Sequence, residues 1–72
     1  MSIPEMQPVS SSNIAAVGYD PDTENAYVEF LDGSTYAYKG VPEYEFNNLL
    51  TAASVGSYLN RSFKNVYPYE RL

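Results

Sequence analysis

The chain has 72 residues, enough for one domain that buries only roughly 60% of its unfolded surface. Its formal net charge of −5 argues against broad, sequence-independent binding of duplex nucleic acid, although a local basic site is compatible with that charge. No cysteine is present, so neither a disulfide nor a thiolate metal site stabilises the fold. A small core without such links often depends on a partner, and we therefore expect a homo-oligomer.

No apolar run approaches the length that crosses a membrane, and no charged start precedes an apolar secretory segment. We therefore expect a soluble, cytoplasmic protein without a membrane partner. Residues 1–8 contain two prolines and no periodicity, which predicts a flexible or loosely docked N-terminal arm. The domain itself is expected to cover residues 9–72, and the arm could add an edge strand to it.

Short apolar and alternating segments predict three strands. Residues 14–19 are apolar and precede a turn at residues 20–25, where Asp and Pro favour turn geometry. Residues 26–38 contain two alternating runs around Asp32-Gly33, a strong hairpin signal. A two-residue turn would place Tyr36 and Tyr38 on the face of Tyr27, whereas a bulged three-residue loop would place them in the core beside Val28. We favour the bulged form because this core needs bulk.

Two helices are predicted after the strands. Pro42 suits the first turn of a helix, and an apolar stripe follows at helical spacing: Phe46, Leu49, Leu50 and Ala53. Ser54 is the expected N-cap of a second helix that ends before Tyr67-Pro68, and its stripe is Val55, Leu59, Phe63 and Val66. Residues 69–72 form a tail, and the sequence leaves open whether this tail docks on the domain. The predicted fold is α+β: a three-stranded antiparallel β-meander followed by two helices packed on one face.

Several short segments, in this order, resemble the KTSC domain family. They are Ser11-Ser12, Ile14, Gly18-Tyr19-Asp20, Phe30, Gly33, Tyr36-Ala37-Tyr38, Val41-Pro42, residues 53–60, Lys64 and Tyr67. The family is named for a segment at the C-terminus of some lysyl-tRNA synthetases and includes free-standing bacterial and phage proteins. The resemblance implies a sheet of about three strands with packed helices. It implies little about activity, and an RNA-binding role is the one suggested for the family. The sequence departs from the family pattern at Leu59 and Phe63, which indicates compensating core changes.

The sequence lacks most of the side-chain combinations that support catalysis. It contains no His and no Cys, and no spacing pairs a serine with a base, so we predict a protein that is not an enzyme and needs no cofactor. Asp20, Asp22 and Glu24 alternate like the start of a calcium loop. Asn25 and Leu31 stand where such a loop needs Gly and Glu, so a solvated turn without metal is favoured.

Candidate ligand-binding residues concentrate after residue 53. Arg61 and Lys64 are three apart and Asn60 and Lys64 four apart, so their side chains would converge on a helix, with Tyr58 and Tyr67 interleaved. Such groups suit an anionic planar ligand, but they equally describe a solvated helix face whose cations offset the dipole.

Two further sets complete the candidate residues. Ser54 and Gly56 would offer backbone N–H groups at a helix N-terminus, or Ser54 would simply cap the helix. Tyr36 and Tyr38 would be core rings or a stacking platform for bases.

Three functions follow as hypotheses. The first is a binding module for a small anionic nucleotide, which in a phage could sequester a host nucleotide signal as a counter-defence protein. The second is an RNA-binding accessory domain that recognises single-stranded RNA, as the resemblance implies. The third is a protein-interaction domain that pairs with a host protein through a strand edge or a tyrosine face and inhibits or modulates it.

Overall fold

The structure is a computed structural model that describes residues 4–72. It is an α+β fold with one five-stranded antiparallel sheet in the order β1-β2-β3-β4-β5. The elements along the chain are β1 Gln7–Pro8, β2 Ile14–Asp20, β3 Asn25–Phe30, β4 Thr35–Tyr38, α1 Glu43–Thr51, α2 Val55–Ser62 and β5 Tyr69–Arg71. The predicted meander corresponds to β2, β3 and β4, and two short edge strands extend it. No helix in the described part of the chain is both long enough and apolar enough to cross a membrane.

The N-terminal segment lies against the sheet over its described length. Gln7 pairs with Val17, so β1 forms an edge strand beside β2. Residues 4–6 lie over Gly18 on the face of the sheet opposite the helices, where an added Cβ would be 2.6 Å from Met6 Sδ and 3.1 Å from the Glu5 carbonyl oxygen. Residues 1–3 of the predicted arm lie outside the described residues.

The β3–β4 hairpin has the bulged register that we favoured. Val28 lies opposite Tyr36, so Tyr36 and Tyr38 share the inner face of the sheet with Val28. The Gly33 N–H donates to the Phe30 carbonyl at 3.0 Å, which closes a turn. Gly33 has φ +95°, a left-handed conformation that Gly adopts without steric cost.

The core lies between the inner face of the sheet and the two helices. Tyr38 is 2% exposed and belongs to one buried cluster with Phe46 and Leu49 of α1, Leu59 of α2 and the C-cap Phe63. The predicted place of Ala53 in the first stripe was wrong, because α1 ends at Thr51 and Ala53 is exposed.

The second helix is shorter than predicted. It ends at Ser62 with Phe63 as its C-cap, and Lys64 and Val66 follow in a turn. Val66 is 58% exposed, so its predicted place in the apolar stripe was also wrong. The turn returns the chain to the sheet, where the tail docks as β5 beside β4.

Candidate functional site

A concavity in the described residues lies beside the β3–β4 hairpin and β5. Its volume is about 680 Å³, which is within the usual range for small-molecule sites. We call it the aromatic cleft. It is lined by Ser12, Asn13, Phe30, Leu31, Asp32, Ser34, Tyr36, Tyr38, Lys64, Asn65 and Tyr69.

Aromatic rings from three strands form one side of the aromatic cleft. The Tyr36 ring lies 5.5 Å from the Phe30 ring in an edge-on arrangement and 5.5 Å from the Tyr69 ring. Tyr38 lies 5.6 Å from Tyr69. Tyr69 is 55% exposed and Tyr36 half-buried, so both retain accessible surface for a ligand. Burial raises the pKa of the Tyr38 phenol above its ordinary value, so this hydroxyl remains protonated at neutral pH.

Polar and charged side chains form the rest of the aromatic cleft. Lys64 supplies an ammonium group and Asp32 a carboxylate. Ser34 donates to Asp32 Oδ1 from its hydroxyl at 2.7 Å and from its N–H at 2.9 Å. These hydrogen bonds hold the pKa of the Asp32 carboxyl below its ordinary value, with a smaller contribution from Arg71. The cleft therefore presents one cation and one ionised acid at neutral pH.

A second concavity of about 420 Å³ lies beside the start of α2. We call it the serine cleft. It is lined by Ser10, Ser11, Ser12, Asn13, Ala53, Ser54, Val55, Gly56, Ser57 and Asn60. Because Ser12 and Asn13 line both concavities, the two clefts adjoin at this loop.

The N-terminus of α2 is capped as predicted. The Ser57 N–H donates to the Ser54 hydroxyl oxygen at 3.3 Å. A Cβ added at Gly56 would be 2.8 Å from Asn13 Oδ1, so only glycine fits there without a shift of the Asn13 side chain. The Ser11 hydroxyl donates to the same oxygen at 3.1 Å, a hydrogen bond within the loop that orients the Asn13 side chain.

The remaining candidate residues are Tyr58, Arg61 and Tyr67, and they line neither cleft. The Tyr58 hydroxyl donates to Glu45 Oε1, and this hydrogen bond is the main cause of a raised pKa at Tyr58. The Arg61 guanidinium carbon is 5.8 Å from the centre of the Tyr58 ring. Tyr67 packs on Phe63 with ring centres 5.4 Å apart, and burial raises its pKa. This group contacts an acid and the core rather than either cleft.

The nine predicted site residues are therefore divided among three places. Tyr36, Tyr38 and Lys64 line the aromatic cleft; Ser54, Gly56 and Asn60 line the serine cleft; and Tyr58, Arg61 and Tyr67 line neither. The predicted convergence of Arg61 and Lys64 is not found, because Arg61 lines neither cleft and α2 ends before Lys64. The lining residues that sequence reasoning missed include Phe30, Asp32, Asn65 and Tyr69, and the aromatic character of Phe30 and Tyr69 was the available signal.

The described residues include no group of three acidic side chains that could hold a metal ion. The fold and the two clefts define a small α+β domain with concave, polar and aromatic surfaces. The family model of the KTSC domain matches residues 10–67. The chain belongs to the KTSC domain family.

Relatives and a solved structure agree with this assignment. The crystal structure of a KTSC domain protein from Yersinia pestis is 38% identical and superposes with a TM-score of 0.89, covering 94% of this chain and 96% of that one. A protein of Tsukamurella paurometabola is 47% identical over 76% of this chain and 82% of its own length. An uncharacterized protein of Stutzerimonas stutzeri is 38% identical over 89% of this chain and 92% of its own. A lysine–tRNA ligase of Nostoc sp. is 35% identical over all of this chain, which spans 13% of the ligase.

Proposed function

We propose that this protein is a non-catalytic binding module whose aromatic cleft takes a small anionic nucleotide. The observation that carries the proposal is the combination of accessible rings with one ammonium group in the same concavity. Tyr36 and Tyr69 offer ring surface on which a base can stack, and Lys64 offers a charge for a phosphate. The sequence has neither His nor Cys, which supports binding without turnover.

The charges of the aromatic cleft favour a ligand with few phosphates. Lys64 is the cation among its lining residues, and ionised Asp32 would repel a chain of phosphates. The overall charge of −5 acts in the same direction. A nucleoside monophosphate or a cyclic nucleotide fits these charges better than a triphosphate. Such ligands are cytoplasmic, which is where the proposal places the protein, and a phage-encoded copy could use the cleft to sequester a host nucleotide signal.

Thermal denaturation against a panel of linear and cyclic nucleotides tests the proposal. A ligand at a concentration 100-fold above its Kd should stabilise the fold by about 2.7 kcal/mol. Lys64→Ala and Tyr69→Ala should each weaken binding. Arg61→Ala is the matched control, because this exposed cation lies in the last turn of α2, three residues before Lys64, but lines neither cleft. Absence of a shift with every nucleotide would remove the proposal, as would equal losses from Arg61→Ala and Lys64→Ala.

Recognition of single-stranded RNA is the second candidate. The observation that favours it is the similarity to part of a lysine–tRNA ligase, a protein whose name says that it acts on tRNA. The aromatic cleft would then hold one base of a longer strand, and affinity would fall steeply with salt. A mobility shift with single-stranded RNA at low salt, without a thermal shift from any mononucleotide, would favour this function over the first.

Binding to a host protein is the third candidate. The observation behind it is that β5 forms one edge of the sheet and its three residues are exposed. A partner strand could add to this edge, as extended peptides do in other proteins. Capture of one specific protein that is lost when the outward N–H of β5 is removed would support this function.

A further inference from the structure

The outer edge of β5 is built to accept another strand. The Pro68 carbonyl accepts a hydrogen bond from the Lys39 N–H at 2.8 Å, and the Leu72 N–H donates one to the Thr35 carbonyl at 2.8 Å. The backbone polar groups of the even-numbered residues in this segment therefore face β4. Successive residues of an antiparallel strand direct their N–H and C=O groups to opposite sides, so those of Tyr69 and Arg71 point away from β4. Within residues 4–72 no strand pairs with that side.

The opposite edge of the sheet is a poorer template. It is β1, which has two residues and includes Pro8, and proline has no N–H to donate. Pro68 in the β5 segment does not have this effect, because its missing N–H would face β4 rather than the open edge.

We propose that two copies of this chain pair antiparallel through β5, about a two-fold axis at Glu70, and that each places Arg71 beside the other's aromatic cleft. The part that concerns the cleft rests on the proposed function. The pairing gives about four backbone hydrogen bonds, because Tyr69 and Arg71 of each copy direct both the N–H and the C=O group toward the partner strand. The result would be one continuous sheet across two subunits.

A cation–π pairing on the inner face favours this partner and this register. Tyr69 would lie directly opposite Arg71 of the partner subunit, where a guanidinium can stack on the ring. Tyr69 lines the aromatic cleft, so the partner's Arg71 would add a cation at its mouth, beyond Lys64 and the chain's own Arg71, which pairs with Tyr36. A shift of the two-fold axis to Arg71 would place this cation opposite itself, which is unfavourable.

The outer face provides a second check on the register. Glu70 would face Glu70 of the partner subunit, and like charges directly opposite each other are destabilising. In each copy, however, Lys39 Nζ lies 3.2 Å from Glu70 Oε1 and offsets that charge. Leu72 is 56% exposed and would lie opposite Pro68 of the partner subunit, which removes apolar surface of both from water.

Cysteine cross-linking tests the register directly, because the natural chain has no cysteine. Glu70→Cys would place two thiols opposite each other across the axis, at a Cβ separation suited to a disulfide. Under mild oxidation, with the protein at a concentration of about 1 mM or lower, we expect a covalent dimer to form rapidly. Asn47→Cys is the matched control, since Asn47 is exposed on α1 and takes no part in β5 or its ion pair, and it should cross-link only slowly. Equal rates for the two variants would overturn the proposed register.

Sedimentation velocity on variants without cysteine tests the pairing itself. The natural chain should show a monomer–dimer equilibrium up to about 1 mM. Lys39→Ala should weaken the dimer by about fivefold because it leaves the Glu70 charges opposed, and Lys39→Ala with Glu70→Gln should restore it. Arg71→Pro removes an outward N–H without removing a bond to β4, and it should give monomer with an unchanged circular dichroism spectrum. A monomer at every concentration would overturn the proposal.

A nucleotide-binding measurement on the cross-linked dimer distinguishes assembly from ligand binding. Disulfide-linked Glu70→Cys dimer should bind the nucleotide identified by thermal denaturation about tenfold more tightly than the reduced monomer, and Arg71→Gln should abolish the difference. A dimer that binds no nucleotide would retain the assembly and remove the proposed function. Equal affinities of linked and reduced protein would show that Arg71 of the partner subunit does not reach the cleft, and would overturn that part of the inference.

Discussion

An exchange of Leu59 and Phe63 tests whether these residues are a compensating pair. Both are fully buried in the core, one helical turn apart, and the Phe63 N–H donates to the Leu59 carbonyl at 2.9 Å. The Phe63 ring lies 5.4 Å from Tyr67, 5.6 Å from Tyr38 and 6.3 Å from Tyr58. The two side chains therefore share one space, and a change in one should depend on the other.

The expected losses in the free energy of unfolding follow from this packing. Phe63→Leu creates a cavity and removes ring contacts, at a cost of about 2 kcal/mol. Leu59→Phe overfills the same space, at a cost of about 2 kcal/mol. The double exchange conserves volume, so it should lose only about 2 kcal/mol, which corresponds to a coupling of about 2 kcal/mol between the positions. A chain of 72 residues has a total stability of roughly 4 to 11 kcal/mol, so these losses are measurable.

Urea unfolding followed by circular dichroism is the assay, with the midpoint and slope fitted for all four proteins. Val66→Ala is the control for an exposed apolar position and should change stability by less than about 0.5 kcal/mol. Strict additivity of the two single losses, or a double variant less stable than either single one, would refute the view that the core changes compensate.

Two predictions concern the hairpin loop. Gly33→Ala should lower the free energy of unfolding by about 1 to 2 kcal/mol, measured as a lower thermal midpoint. The added Cβ meets no atom within 4 Å, so the loss comes only from the left-handed φ of +95°. Gly33→Asn should lose less, and an unchanged midpoint for Gly33→Ala would contradict the left-handed conformation. The pKa of Asp32 lies below its ordinary 3.8, so its contribution to stability is present above that pH and is lost as pH falls through the folded-state pKa. Ser34→Ala should raise that pKa toward the ordinary value in a carboxyl-detected NMR titration, and an identical titration curve in both proteins would count against the hydrogen bonds.

Local signals predicted the centre of the fold well. The hairpin register followed from Asp32-Gly33 and the need for bulk in the core, because a one-residue slip would have moved Tyr36 and Tyr38 to the other face. The start of α2 followed from Ser54, whose hydroxyl accepts the Ser57 N–H. The α+β class and the KTSC resemblance were confirmed for similar reasons, since both depend on short segments with strong local preferences.

The edges and the candidate site were harder to predict. The tail has three strand residues without a pattern, and it pairs with β4 only because the turn after Ser62 brings it there. Helical spacing predicted that Lys64 would share a face with Arg61, but α2 ends first and Lys64 points to a different concavity. The end of α2 at Ser62 depends on tertiary contacts that no short sequence window contains.

The close fit at Gly18 has a consequence for how sequences in this family vary. Residues 4–6 cross the sheet where a side chain at position 18 would stand, and Tyr27, directly opposite Gly18, is only 8% exposed. A larger residue at position 18 would therefore require the N-terminal segment to follow another path. Across related sequences, substitutions at position 18 and at positions 4–6 should occur together.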